Sequence, residues 1–409
     1  MPSAHRQGRD FVDFDEDLQV KDIVNAVADG YAELELVKRY STVGMGPSQG
    51  RHSALATAKI VAEATGRSVA QIGVTTSRPS FGPEKLGLFT GPRHRHDRLT
   101  PMDAWHRAAS AKMIPAGIWW RALYYGPSPD AVAAEVRSEG VGMLDVSTLG
   151  KLALRGTDAG AFLDRNCTMA HQNQPVGRVP YCLMLNDMGS VIDDGVAWRM
   201  APEEFYVTAT TGAVDRVFSG MSLLNAQWRM KVDVQNVTGA FAAINVTGPL
   251  ARLALQALEG DIDLAADAFP YLEGRRGHLA GCPVRVMRIG FTAELSYELH
   301  TPRSHALTLW NALLQAGAPH GLNPYELEAS RILRLKKGHI IIGQDTDALS
   351  SPNELGIDWA LSKKKPSYIG KPAVEKRRRL GLRRALVRSE LAPERGDGLG
   401  RILPGAAQG

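Results

Sequence analysis

The chain has 409 residues, 44% of them hydrophobic, with 48 Lys and Arg against 43 Asp and Glu. That length admits two or three domains with ordinary cores. The small positive excess gathers at 363–365, 376–379 and 383–384; no aromatic platform or recognition motif accompanies it, so it reads as solvated surface and not as a nucleic-acid interface.

Three cysteines without a C-x-x-C support neither a disulfide framework nor a cysteine metal site. The N-terminus lacks the apolar core of a signal peptide and no 18-residue apolar run occurs, so the expected setting is cytoplasmic, without a membrane partner.

In chain order, Val20, Ile23, Val24, Val27 and Leu34 follow helical spacing interrupted at Gly30. A Gly-rich turn, "GMGPSQGRHS", precedes a second helical stretch, "ALATAKIVAEATG". Residues 1–70 therefore read as a small helical unit. The Gly44, Gly46 and Gly50 turn is no phosphate loop, since no Lys-Ser/Thr follows it and no strand leads into it. Residues 71–127 are rich in Pro, His and Arg and read as a linker that packs through Trp105, Trp119, Trp120, Tyr124 and Tyr125. Its His94, His96, Asp97 and His106 match no metal-ligand spacing and read as a solvated basic loop.

From Ser128 helices and strands alternate. "SPDAVAAEVRSEG" is a helix with Ser128 at the N-cap and Pro129 in the first turn. The strands "VGMLDVS" and "KLALRG", the helix "DAGAFLDRNC" and the strand "FYVTATTG" surround a further strand at 191–198, and "PVRVMRIGFTAELSYELHTP" reads as two strands joined around Gly290–Glu294. The mixture argues an α+β fold. Cys182, on a buried strand, reads as an inert core thiol.

The strand "VIDDGVAW" holds two adjacent carboxylates, Asp193 and Asp194, in apolar surroundings. Buried carboxylates are costly unless paired. Neighbours in a strand face opposite ways, so only one of the two can enter a pocket. The other must bond to backbone or face solvent.

Two resemblances organise these observations. "FVDFDED" and "GMGPSQGRHS" place Asp13, Asp15, Ser48 and Ser53 where a small bacterioferritin-associated-ferredoxin-like domain has the four cysteines of a 2Fe–2S cluster. The resemblance implies a retained fold without a cluster, because the cluster iron needs thiolates. From about residue 131, "EVRSEGVGMLDVSTLGKLALRGTDAGAFLDR", "GRVPYCLMLNDMGSVIDDGVAWR", "RIGFTAELSYELH" and "SPNELGIDWALSKKKPSYIGKPAV" resemble the folate-binding aminomethyltransferase family, the T-protein of the glycine cleavage system. The arrangement as a whole is similar to the C-terminal half of the α subunit of heterotetrameric sarcosine oxidases.

The resemblance implies a folate-binding aminomethyltransferase fold at 128–380, with 381–409 a remnant of the family's C-terminal barrel domain or a disordered tail. It implies Asp194 as the catalytic carboxylate, Glu298 as acceptor for the pterin's amino and ring N–H groups, and Tyr181 as a wall of the pterin slot. Arg334 and Lys336 are implied for the folate's glutamate tail. Thr210, where the T-protein has Asn, favours an iminium from a flavin partner over a lipoyl-bound aminomethyl group.

The implied activity is tetrahydrofolate-dependent capture of a methylene unit from an N-methyl amine, giving 5,10-methylenetetrahydrofolate. The implied partner is a flavin-dependent amine oxidase or dehydrogenase subunit, which carries the flavin because no G-x-G-x-x-G opens this chain. A self-sufficient folate-dependent demethylase and a non-catalytic folate-binding scaffold are the alternatives. No metal is implied.

Overall fold

A computed structural model describes residues 8–76, 85–89, 96–126, 132–133, 136, 140–382 and 384–387. The chain divides into two compact units at Arg95/His96. Among the described residues no helix is long and apolar enough to cross a membrane.

The first unit pairs Phe11–Asp13 with Leu18–Gln19, then builds helices Val20–Ala28, Leu34–Ser41, Ala54–Thr65 and Val69–Ile72. The break expected at Gly30 is real. Gly30 has φ 99, and Tyr31 N–H turns back to the carbonyl of Ala26 at 3.0 Å, closing the helix end. Ile23, Ala26, Val37, Ala58 and Val61 form the core of the unit.

The four positions expected to have lost a cluster pair up by hydrogen bonds. Asp13 Oδ2 accepts from Gly44 N–H (2.7 Å) and Ser53 Oγ (2.9 Å), while Asp15 Oδ2 accepts from Ser48 N–H (2.8 Å). Burial pushes the Asp13 carboxyl up, but the bonds from Gly44, Ser53, Asp15 and Glu16 outweigh it and hold it below the usual range.

The second unit contains two antiparallel-dominated sheets with helices on their outer faces, a mixed α+β architecture. The five-stranded sheet runs Asp233–Asn236, Gly150–Arg155, Glu204–Ala209, Val191–Ala201, Tyr181–Leu185, all antiparallel. The six-stranded sheet runs Gly274–Leu279, Cys282–Met287, Ser296–Pro302, Phe241–Thr247, Val141–Asp145, Leu322–Pro324, of which the last joins parallel.

Helices Ala159–Asn166 and Val214–Trp228 bury Phe162, Leu163 and Val217 against Leu152, Leu154 and Val207 of the first sheet. Helix Ala306–Gly317 has Ala306, Leu309, Trp310 and Leu313 at helical spacing, and that stripe packs with Ile244, Val286 and Leu299 of the second. A smaller cluster, Val196, Trp198 and Tyr206 with Met287, stitches the two sheets together.

The linker expected over 71–127 is in part ordered structure of the second unit. Helix Asp103–Ala108 and the antiparallel pair Lys112–Ala116 and Trp119–Tyr124 lie there. Gly117, with φ 64, opens the two-residue turn between these strands. Pro115 and the adjacent tryptophans mask the period-two alternation that would have signalled the hairpin. Trp105 packs edge-on against Trp310 at 5.1 Å.

His106 also departs from expectation. It is buried, not solvated, with Nε2 3.1 Å from Asp145 Oδ2 and Nδ1 2.7 Å from the Tyr125 hydroxyl. His96 and Asp97 are exposed, and His94 lies outside the described residues. The expected cap at Ser128–Pro129 and most of 381–409 also lie outside them. A final helix spans Lys371–Leu380.

Candidate active site

The Asp193–Asp194 pair sits where one ladder of the five-stranded sheet ends. Strands Val191–Ala201 and Glu204–Ala209 pair from Ala197↔Val207 to Ala201↔Glu204, with a register shift between Arg199 and Ala201. Before Ala197, Gly195 comes so close to the Thr208 carbonyl that a Cβ would lie 2.0 Å from its oxygen, and Val196 N–H donates to Thr208 Oγ1 at 2.9 Å. Only glycine fits this approach. The ladder to Tyr181–Leu185 continues through both aspartates, as Leu183↔Asp194 and Met184↔Asp193.

Asp193 is fully buried and bonded to backbone, the first of the two options its position left open. Thr210 N–H donates to Oδ2 at 3.0 Å and Thr210 Oγ1 to Oδ1 at 2.7 Å. Burial raises its carboxyl, and the Thr210 bonds offset part of that rise.

Asp194 points to the other face, shared with Val196 and Trp198 along the seam between the sheets. The Tyr181 hydroxyl donates to Asp194 Oδ2 at 2.8 Å. Burial first, then the neighbouring Asp193 charge, push the Asp194 carboxyl up to about 7, against the Tyr181 bond that lowers it. A carboxyl titrating near neutrality can both hold and accept a proton. Tyr181→Phe removes the donor that favours the charged form, so the pH at which Asp194 ionises is expected to rise by about one unit. A pH–rate profile whose acid limb does not move would contradict that linkage.

Tyr181 belongs to an aromatic group drawn from distant segments. Its ring lies 5.1 Å from Trp359 at 34° and 6.1 Å from His339 edge-on, and His339 meets Phe291 at 4.8 Å. Trp359 is 63% exposed, an open flat surface beside the carboxylate. Burial, with the charges of Lys337 and Arg334, pushes His339 down to about 4, so its ring is neutral at physiological pH.

Glu298 stands in the six-stranded sheet opposite Met287, the residue that packs under Trp198. The two carboxylates thus come from different sheets. Glu298 Oε1 accepts from His300 Nε2 at 2.6 Å, and His300 Nδ1 lies 2.8 Å from the Tyr206 hydroxyl. Burial keeps His300 below its usual value, so it is neutral; its one ring proton goes to Glu298 and Tyr206 donates to the other nitrogen. Lys151, fully buried, donates Nζ to the carbonyls of Ser147 (2.9 Å) and Leu149 (2.7 Å), and burial lowers it to about 8 despite the attraction of Glu298 and Asp145.

The two basic residues implied for a glutamate tail are placed differently from each other. Arg334 is buried, its guanidinium paired with Asp345 and bonded to the His339 carbonyl at 3.2 Å. It clamps the turn that presents His339, with its guanidinium engaged by Asp345. Lys336 is exposed on the same helix, Leu327–Lys337.

A family model for the GCVT N-terminal domain matches residues 102–365. The chain belongs to the GCVT aminomethyltransferase family. A second model, the sarcosine oxidase A3 domain, matches residues 7–92. Sarcosine oxidase subunit alpha of Rhizobium meliloti (strain 1021) is 34% identical over 384 residues, 90% of this chain and 38% of that protein. The subunit of the same name from Corynebacterium sp. (strain P-1) is 36% identical over 377 residues, 88% of this chain and 39% of that one. The chain therefore spans about two-fifths of the length of these relatives. An aminomethyltransferase of Pseudothermotoga lettingae is 30% identical over 298 residues, 73% of this chain and 80% of that protein. The crystal structure of glycine cleavage system aminomethyltransferase T from Bartonella henselae has the same fold, with a TM-score of 0.63 at 22% identity over 69% of this chain and 75% of that one.

Within this aminomethyltransferase-family chain, sequence reasoning missed several partners. His300 was within reach of it, since residues 298 and 300 share a strand face. Trp359, His339 and Tyr206 carry no local signal. Nor did spacing show that Cys167, His171 and Cys182 converge, all fully buried. The three cysteines are free, but two of them are not isolated core thiols.

Proposed function

We propose that this chain transfers a one-carbon unit to tetrahydrofolate, capturing the methylene group of an iminium formed from an N-methyl amine. In this reading the product is 5,10-methylenetetrahydrofolate and the iminium comes from a flavin-dependent amine oxidase subunit. The observation that carries the reading is Asp194: a mostly buried carboxyl raised to about 7, oriented by Tyr181 beside the exposed Trp359 ring.

The residues present suit a reduced pterin. Such a ligand is flat and rich in N–H donors; the region offers an open indole face, and carboxylate acceptors in Asp194 and Glu298. Tetrahydrofolate supplies a nucleophilic amine for the one-carbon unit. Glu298 holds acceptor oxygens toward N–H groups while His300 fixes its orientation. Tyr181 keeps Asp194 aimed and partly ionised. Asp194 takes up the proton released as the amine forms its new bond, and its negative form offsets positive charge developing there. The apolar seam around Val196 and Trp198 excludes water, which would otherwise hydrolyse the iminium.

In the first unit, the Asp13 and Asp15 carboxylates accept from Ser53 Oγ and from the backbone N–H groups of Gly44 and Ser48, while Ser48 Oγ has no partner among the described residues. That supports a domain held by a polar network in place of an iron–sulfur cluster.

The test is calorimetry of tetrahydrofolate binding, with and without a co-expressed flavin amine oxidase, followed by assay of methylene transfer. Binding, with product formed only beside the flavoprotein, is expected. No binding overturns the reading. Turnover by the isolated chain favours the self-sufficient demethylase, and binding with turnover indifferent to Asp194→Ala favours the scaffold. The same preparation should contain no iron.

A further inference from the structure

Cys182 follows Tyr181 in the strand and therefore points to the opposite face. There it meets Cys167 and His171: the two sulfurs and a ring nitrogen of the histidine all lie within 4.8 Å of one another, and all three side chains are fully buried.

The histidine is set in one tautomer. Gln174 Nε2 donates to the carbonyls of Arg178 (2.7 Å) and Ala197 (2.9 Å), so its Oε1 is the atom that faces His171 Nδ1 at 2.7 Å. An amide oxygen only accepts, which places the ring proton on Nδ1 and leaves the lone pair on Nε2. That buried Nε2 has no hydrogen-bond partner. An orphaned buried acceptor costs about 1–3 kcal/mol. A histidine whose other nitrogen is tied to a fixed acceptor is the usual arrangement of a metal ligand.

Two sulfurs and one imidazole form a soft donor set that selects thiophilic d¹⁰ cations. The number of donors narrows the choice. Lys365 is buried at the same corner, but its Nζ donates to the carbonyls of Cys167 (2.5 Å) and Met169 (2.9 Å) and adds no ligand. Among the described residues the group holds three donors, which suits trigonal coordination and leaves the four-coordinate tetrahedral shell of zinc incomplete.

We propose that Cys167, Cys182 and His171 bind one copper(I) ion. Binding exchanges the two thiol protons for Cu⁺ and forms two Cu–S bonds and one Cu–N bond, with no change of oxidation state. The loaded site ties residues 167–171 to the strand that carries Tyr181, and so would stiffen it.

The full chain, reduced and refolded anaerobically, is titrated with Cu(I) held by a coloured chelator, with folding followed by circular dichroism. One equivalent should leave the chelator for the wild type and for Cys282→Ser, whose thiol lies in the other sheet. Cys182→Ser and His171→Asn, if folded, should bind at least about 100-fold more weakly, a loss of roughly 3 kcal/mol. If neither folds, Gln174→Leu, which frees the tautomer, should weaken binding at least about tenfold. Preferential uptake of Zn²⁺, a Cys167–Cys182 disulfide in the isolated chain, or no uptake at all would overturn the proposal.

Discussion

Asp194→Asn is expected to lower methylene transfer about 10²–10⁴-fold and, at the same time, to make the protein more stable at neutral pH. Asparagine keeps the shape and a carbonyl acceptor for the Tyr181 hydroxyl, so folate binding should change little. What disappears is the ability to take a proton.

The stability gain follows from the raised carboxyl. An aspartate in the unfolded chain titrates at 3.8, and Asp194 in the fold at about 7. Between those values the native state keeps a proton that the unfolded state has lost, so stability falls as pH rises through the window. Below pH 3.8 the penalty is absent; above about 7 it is fully present. Discounted for the partial exposure of Asp194, the penalty is roughly 2 kcal/mol. Denaturant unfolding of both proteins at pH 4 and pH 8 reads it directly: the variant should match the wild type at the lower pH and exceed it at the higher. A variant that is less stable at pH 8, with transfer intact, would make Asp194 a structural residue.

Glu298→Gln is expected to weaken tetrahydrofolate binding by at least about tenfold, a loss of roughly 1.5–3 kcal/mol for hydrogen bonds to a charged group. Glutamine preserves an oxygen for His300 Nε2–H, so the Tyr206–His300 relay and the ladder around Met287 should persist. The kinetic signature is a raised KM for folate, with kcat at saturation moving far less than in Asp194→Asn. Glu298→Ala would be a poorer probe, because it also strands the buried His300 proton. Equal affinity for wild type and Glu298→Gln would mean that the carboxylate serves His300 alone.

The fold holds the two adjacent aspartates, Asp193 and Asp194, in different ways. Asp193 is spent on Thr210, where it ties the end of strand Val191–Ala201 to the turn before helix Val214–Trp228. Its neighbour is left with one phenolic donor and an open aromatic surface. A single residue step in a pleated strand makes that division. The Gly195–Thr208 contact, which interrupts the ladder, leaves room for it.

The quoted motifs pointed to Asp194, Tyr181 and Glu298; the Tyr181–Asp194 contact itself was not readable from them, and period-two alternation would have added His300 beside Glu298. The aromatic group was out of reach: Tyr181, Phe291, His339 and Trp359 span nearly 180 positions and meet only because loops from both sheets converge. The pairing of Arg334 was equally out of reach. A basic residue on a helix looks available to an anion until Asp345, eleven residues on, is found closing on it. The solvated reading of His106 failed because its partners Asp145 and Tyr125 come from other strands and loops.

The sequence by itself determined the α+β class, the small helical unit ahead of it, the family and the strand that carries the paired aspartates. Each of these is written in local periodicity or in motifs a few residues long. Only the tertiary structure decided the charge state of Asp194, the pairing of Arg334 and the meeting of Cys167, His171 and Cys182. The reason is that burial and pairing are set by groups distant in the chain. Desolvation acts over a few ångströms of space, and no spacing rule along the chain reports which groups will share it.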